Sequence, residues 1–299
     1  MAAAGAALNP ARVWWSAVRP ATLAASVAPV LAGTAVAVHD GGARLVAGSL
    51  ALVVAVAMQV GVNFANDYSD HVRGADNPRR VGPLRAASSG VVEPAHVGWA
   101  AIAAFGVAGI AGLVLSLATD WRLLVAGAAC LLAGWLYTGG PRPYGYFGLG
   151  ELFVFVFFGL VATAGTVYVE TLGVTPLALV MGCAMGCLAS AILVLNNLRD
   201  IATDAAAGKR TLATRLGRQR TLYLLVLLVS AAFAVPIVAL AAKLAGVTVL
   251  TVLFAIPIAA GAVGTAFTTR DGPQLVGALK RIAIAELAYA LLFALGLLL

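Results

Sequence analysis

Nine stretches of this chain are apolar enough to cross a bilayer as helices: about 22–38, 45–65, 97–118, 121–137, 152–169, 176–195, 221–241, 246–266 and 282–299. A helix needs roughly 20 such residues to traverse the hydrocarbon core. Within that core every backbone amide must be bonded inside the protein, so only helices and closed barrels can span it. Barrel strands would read as short alternating segments, and these runs are long and continuous. The sequence therefore predicts an all-α, polytopic membrane protein with about nine transmembrane helices, the fourth short enough to be tilted or broken. Charged residues make up only 10% of the 299, against about 25% in soluble domains, so no water-soluble domain is expected beside the spans.

The few charges are unevenly placed. With the N-terminus inside, sixteen of the nineteen basic residues fall on the cytoplasmic side, and only Arg44, Arg122 and Lys243 fall on the other. That bias sets orientation and predicts a multi-pass plasma-membrane protein whose C-terminus lies at the outer face. The net charge of +7 then reflects topology and anion binding. Nucleic acid is excluded as a partner, because the basic residues flank spans and no soluble domain gathers them. No cleavable signal is expected, since Arg12 and Arg19 come too late to form a basic region ahead of an apolar one. Cys130, Cys183 and Cys187 lie inside apolar runs and read as structural. No linker divides the chain, so residues 1–299 are expected to form one membrane-embedded domain. Loops at about 71–96 and 200–220 are the natural caps over a cavity.

Two acidic clusters lie where apolar runs meet those loops. The first is Asn63-Phe64-Ala65-Asn66-Asp67-Tyr68-Ser69-Asp70, continuing to Gly74 and Asp76. The second is Asn196-Asn197-Leu198-Arg199-Asp200-Ile201-Ala202-Thr203-Asp204, continuing to Gly208 and Lys209. Acids this close to a bilayer are costly and usually functional. Asn63, Asn66, Asp67 and Asp70 share a helix face at i, i+3, i+4 and i+7, and Asn196, Asp200 and Asp204 share another. The clusters align at a constant offset: Asn63 with Asn197, Asn66 with Asp200, Asp70 with Asp204, Gly74 with Gly208. A duplicated four-helix unit with an added ninth helix would give this, and so would a shared chemical demand. Gly74 and Gly208 are expected to end their helices in the left-handed conformation.

Hard oxygen donors without His or Cys suit Mg²⁺, with Mn²⁺ as a substitute, and argue against zinc. Two carboxylate helices facing each other could grip a diphosphate through bridging cations, with Arg73, Arg79, Arg80, Lys209 and Arg210 meeting its oxygens. In a bilayer such a head group implies a lipid donor. The leaving diphosphate would be stabilised by metal and basic residues, in a cavity that excludes water.

These residues resemble the UbiA superfamily of intramembrane aromatic prenyltransferases, whose two Asp-rich motifs they match in kind, order and spacing. Within it the chain is most similar to the 1,4-dihydroxy-2-naphthoate polyprenyltransferases (the MenA group). The similarity is carried by Arg19-Pro20-Ala21-Thr22-Leu23, Asn63 to Asp70, Ser89-Gly90, Tyr137-Thr138-Gly139-Gly140-Pro141 through Glu151, and Asn196 through Gly217. The resemblance implies a UbiA-like bundle around a central cavity with a cytoplasmic cap. It implies Mg²⁺-dependent transfer of a polyprenyl group from its diphosphate to the naphthoate, with loss of diphosphate and CO₂, giving demethylmenaquinone. Metal ligands would be Asn63, Asn66, Asp67, Asp70, Asp200 and Asp204, with Asp76 a further candidate. Arg73, Asn197, Lys209 and Arg210 would hold the diphosphate. Arg19 or Arg142 would meet the acceptor's carboxylate. Tyr137 would hydrogen-bond or deprotonate an acceptor hydroxyl, and Glu151 would stand behind the acceptor site or act as the acceptor's base. The catalytic set is thus Asp67, Asp70, Asp200, Asp204, Lys209 and Tyr137. The rival readings are another acceptor, such as 4-hydroxybenzoate, on the same scaffold, and a cation-coupled transporter. The sequence leaves prenyl chain length and oligomeric state open.

Overall fold

A computed structural model describes residues 9–74 and 82–299, so Asp76, Arg79 and Arg80 lie outside the described residues. Eleven α-helices follow one another: α1 (Pro10–Val18), α2 (Ala24–His39), α3 (Leu45–Val72), α4 (Pro94–Ala118), α5 (Leu123–Leu136), α6 (Gly150–Val154), α7 (Ala162–Thr171), α8 (Pro176–Ala206), α9 (Leu212–Ala241), α10 (Ile256–Thr268) and α11 (Gly272–Leu298). A π-helical stretch, Phe155–Val161, joins α6 to α7, and a 3₁₀ stretch, Val247–Ala255, leads into α10. The described residues contain no strand. Helix starts follow local chemistry. Thr175 accepts from the Ala178 amide ahead of Pro176, and Asp271 accepts from the Gln274 amide, each satisfying an otherwise orphaned donor.

Each of the nine apolar runs is helical, but their lengths differ. Among the described residues seven helices are long and apolar enough to cross a membrane, and an eighth is if α1 and α2, bent by 46°, count as one span. Nine full crossings would need α5 as well, which has 14 residues and so rises about 21 Å against a core of about 30 Å. The central element is α8, with 78% of its apolar stretch buried against 17–44% in the other six. Around it the outward faces carry Trp99, Ile110, Leu117, Trp121, Phe254 and Leu299 in exposed positions, a surface suited to lipid rather than water.

Packing onto α8 is close because small residues allow it. A Cβ at Gly159, within the π-helical stretch, would overlap the Gly186 Cα and stand 2.5 Å from the Gly182 carbonyl oxygen. Two backbones therefore touch, through a small-xxx-small pair on α8. A second, smaller core sits at the charged end. Val13 and Ala17 of α1, Phe64 and Ala65 of α3, Ala86 and Ala87 of the first cap loop, and Val97 and Ala101 of α4 are buried together. Trp14 meets Phe64 edge-on at 5.6 Å. This core fixes the cap loop against the end of α3.

Both motif helices end in the same way. The Arg73 and Gly74 amides donate to Ser69 O and His71 O, and the Ala207 and Gly208 amides donate to Thr203 O and Ala205 O. Gly74 has φ +65° and Gly208 φ +73°, a region costly for residues with a Cβ. The 134-residue offset in sequence is thus also a repeat of helix-end geometry.

Candidate active site

The bundle encloses two adjoining spaces. The larger, about 300 Å³, is mostly apolar and lined along its length by Met58, Cys130, Phe153, Phe157, Val161 and Val169. The smaller, about 50 Å³, is polar and is bordered by Asp70, Arg85, Tyr146, Asn197, Asp200, Asp204 and Lys209. Four side chains border both: Arg19, Asn66, Tyr137 and Asn196. The compartments therefore meet at a polar neck between the ends of α3 and α8.

Asp70 organises the polar compartment. Its Oδ1 accepts from Lys209 Nζ at 2.7 Å and from the Tyr146 hydroxyl at 2.8 Å, and its Oδ2 accepts from Arg85 at 2.7 Å. Lys209 also stands 4.7 Å from the centre of the Tyr146 ring, within cation–π range. Burial, then the Asp70 carboxylate, pushes the Tyr146 hydroxyl above the usual tyrosine range, so it remains a donor. Asp200 is gripped in bidentate fashion by Arg199, at 2.7 Å from Nε and 2.5 Å from a terminal nitrogen, and the same guanidinium donates to Asn196 Oδ1 at 2.9 Å. Loops lock this arrangement. Ser69 donates to the Thr138 carbonyl, Arg73 to the Gly140 carbonyl, and the Arg210 amide to the Tyr146 carbonyl. The segment after Tyr137 is thereby tied to both motif helices.

The four residues of the first motif face serve different ends. Asn66 and Asp70 face the compartment. Asp67 accepts from the Ala86 amide at 2.8 Å and the Ala87 amide at 3.4 Å, holding the cap loop. Asn63 turns toward the α1–α2 junction, donating to the Val18 carbonyl at 2.8 Å. In the second motif Asn197 borders the compartment and donates to Glu151 Oε1 at 2.9 Å, placing Glu151 behind it. Arg73, Arg142 and Arg210 border neither space, and Arg142 is exposed. Arg85 and Arg199 join the site in addition to the residues expected from the sequence. A buried arginine in the cap loop has no periodic signal, and Arg199 adjoins Asp200 in sequence, a spacing that does not face its neighbour on a helix. Tyr146 lies beside Tyr144 and Phe147, and nothing in its spacing singles it out.

Among the described residues no three His, Cys, Asp or Glu side chains form a ready-made metal cage. The donors that border the compartment, Asn66, Asp70, Asn197, Asp200 and Asp204, are all hard oxygens or carry one. That set fits Mg²⁺, which keeps several waters and takes phosphate oxygens alongside one or two carboxylates.

The model of the UbiA prenyltransferase family matches residues 26–298. The chain is 45% identical over 278 residues to the 1,4-dihydroxy-2-naphthoate octaprenyltransferase of Mycobacterium tuberculosis, covering 93% of this chain and 94% of that one. It is 34% identical to the Haemophilus influenzae enzyme of the same name, with 96% of each chain covered. Among solved structures, the UbiA homologue of Aeropyrum pernix superposes with a TM-score of 0.67 at 17% identity, over 93% of this chain and 96% of that one. The Archaeoglobus fulgidus homologue, solved with DMAPP and Mg²⁺, gives 0.62 at 16%, over 94% and 99%. At such identities the two structures establish the shared fold.

Proposed function

The chain belongs to the UbiA prenyltransferase family, and we propose that it transfers a polyprenyl group from polyprenyl diphosphate to 1,4-dihydroxy-2-naphthoate. Diphosphate and carbon dioxide leave, and demethylmenaquinone is formed as its quinol. The observation that carries this reading is the pair of compartments, a charged chamber opening through a four-residue neck into a long apolar space. An amphiphile with an anionic head and an isoprenoid tail matches that shape and polarity, and its reacting carbon would fall at the neck. The naphthoate is favoured over 4-hydroxybenzoate because relatives covering nearly the whole chain are named for it. Family membership removes the transporter reading.

In this account residues 1–299 work as one catalytic unit in a bacterial membrane, with the neck toward the cytoplasm, as the basic residues predict. Asn66, Asp70, Asp200 and Asp204 would hold Mg²⁺ with the diphosphate. The ion would neutralise charge that grows on the leaving oxygen. Lys209, Arg85 and the Tyr146 hydroxyl already converge on Asp70, so they stand ready to donate to the same developing charge. Asn197 supports this head-group site. Arg19 at the neck would anchor the acceptor's carboxylate, and the Tyr137 hydroxyl would orient its ring oxygen. Asp67 would act by fixing the cap loop that carries Arg85. The wall that continues from the neck, with Tyr144 stacked on Phe153 at 3.9 Å and Phe153 on Phe157 at 5.9 Å, keeps water from the cleaving bond and lines the path of the tail.

The test is turnover by the purified protein in detergent with labelled polyprenyl diphosphate and Mg²⁺, the naphthoate and 4-hydroxybenzoate being supplied in parallel. Prenylated product from the naphthoate alone is expected. Product from 4-hydroxybenzoate alone would move the enzyme to another pathway, and no product from either would remove the assignment.

A further inference from the structure

Arg19 stands at the neck in a conformation that its sequence does not favour. Its φ of +55° and ψ of +67° lie in the left-handed region, where a Cβ crowds the following carbonyl oxygen. Such strain persists only where surroundings over-determine it, and it clusters at functional sites. The surroundings are visible on both sides. The Arg19 amide donates to the Ser16 carbonyl at 3.1 Å, and the Arg19 carbonyl accepts from the Thr22 amide at 2.9 Å and the Thr22 hydroxyl at 3.0 Å. The carbonyl before it, Val18, accepts from Asn63 Nδ2 at 2.8 Å.

Three polar side chains close this turn against α3. Gln59 Nε2 donates to Thr22 Oγ1 at 3.0 Å and to Asn63 Oδ1 at 3.3 Å, and Asn63 Nδ2 also donates to Thr22 Oγ1 at 3.2 Å. Gln59 and Asn63 are 7% and 4% exposed. Both ends of the Asn63 amide are therefore engaged within the protein, and its nitrogen reaches a carbonyl that the end of α1 leaves without an intrahelical partner. Asn63 also borders the apolar space and not the polar compartment that Asn66, Asp70, Asp200 and Asp204 border.

We propose that Gln59, Thr22 and Asn63 form a clasp that holds the Arg19 turn at the neck, and that they set affinity for the acceptor's carboxylate as positioning residues. Asn63 then belongs to acceptor recognition, apart from the metal set of Asn66, Asp70, Asp200 and Asp204. The proposal rests on the reading of Arg19 as the carboxylate anchor. It distinguishes two asparagines of one motif, of which Asn66 borders the polar compartment and Asn63 does not.

The test measures KM for the naphthoate, KM for the prenyl donor and the Mg²⁺ concentration for half-maximal rate, in wild type and in Gln59→Met, Asn63→Leu, Thr22→Val, Thr22→Ser and Arg19→Gln. Each variant is also assayed with 1,4-dihydroxynaphthalene, an acceptor without the carboxylate. Arg19→Gln, Gln59→Met, Asn63→Leu and Thr22→Val are expected to raise the naphthoate KM about tenfold, the equivalent of one hydrogen bond. The donor KM, the Mg²⁺ requirement and the KM of the carboxylate-free acceptor should stay within about twofold. Thr22→Ser keeps the hydroxyl and should restore the wild-type value. A raised Mg²⁺ requirement or donor KM in Asn63→Leu would overturn the clasp and return Asn63 to the metal. So would equal losses with both acceptors, the mark of a purely structural role. If Arg19→Gln alone raises the naphthoate KM, the clasp falls and the Arg19 reading stands. If Arg19→Gln leaves it unchanged, the Arg19 reading falls and takes the clasp with it.

Discussion

Asp70→Asn should lower turnover by about a thousandfold at saturating donor and acceptor. The side chain is 2% exposed and accepts from Lys209, Tyr146 and Arg85 at once. Asparagine keeps the shape and one acceptor oxygen but removes the charge. Lys209 and Arg85 would then face each other across a neutral amide, and the metal and diphosphate would lose a carboxylate at the point where leaving-group charge develops. Removal of one preorganised electrostatic partner of this kind costs about 10²–10³ in rate, and here the change also frees two cations from their common anchor. Asp70→Ala would be worse for the fold, because deleting one partner of a buried ion pair costs about 3–5 kcal/mol. The asparagine variant therefore separates chemistry from folding. Single-turnover release of diphosphate, read beside a melting curve, checks it. A rate within tenfold of wild type in a folded Asp70→Asn protein would remove Asp70 from the site.

Gly159→Val should sharply lower the yield of folded protein, the largest packing effect expected of a single substitution here. The π-helical stretch lies against α8 with backbone touching backbone. A Cβ at Gly159 would run into the Gly186 Cα and come within 2.5 Å of the Gly182 carbonyl, and one at Gly186 would come within 2.7 Å of the Phe155 carbonyl. Neither neighbour is a side chain that can swing away. Overpacking a well-filled core costs about 1–3 kcal/mol and sometimes more, and a clash between main chains belongs at the upper end. The two helices would have to separate, and the wall formed by Phe153 and Phe157 would move with them. Gly277→Ala is the contrast. Nothing lies within 4 Å of its Cβ, and alanine is favoured in a helix interior by about 1 kcal/mol over glycine. Size-exclusion profiles and melting temperatures in one detergent would compare them. A monodisperse, fully active Gly159→Val protein would show that the crossing is looser than described.

Much of this architecture is legible in the sequence because it is periodic. The apolar runs give the helices, the i, i+3, i+4, i+7 pattern gives the acidic faces, and Gly74 and Gly208 give the helix ends. The pair Gly182 and Gly186 also stands in plain view four residues apart and marks the close crossing. What the period does not give is the partition within a face. Residues three or four apart on a helix differ by some 60° or 40° in direction, and residues seven apart stand about 10 Å apart along the axis. That is enough for Asp67 to reach the cap loop amides while Asp70 enters the chamber and Asn63 turns to the α1–α2 junction. Arg85 was out of reach for another reason. It sits in a loop whose position is set by the second core, with Ala86 and Ala87 buried against Val13 and Phe64, and such a long-range contact leaves no local pattern. Gln59 is legible, being the first amide in the apolar run 45–65 and one turn before Asn63.

On the proposed mechanism the charged chamber between the ends of α3 and α8 binds a prenyl diphosphate together with a divalent cation. Equilibrium binding of a non-cleavable thiodiphosphate analogue, titrated into the detergent-solubilised protein with Mg²⁺ or with EDTA, tests it most directly. Binding that needs Mg²⁺ and is lost in Asp70→Asn and in Asp204→Asn is the predicted result. Binding that survives EDTA, or that both variants retain at wild-type affinity, would contradict it.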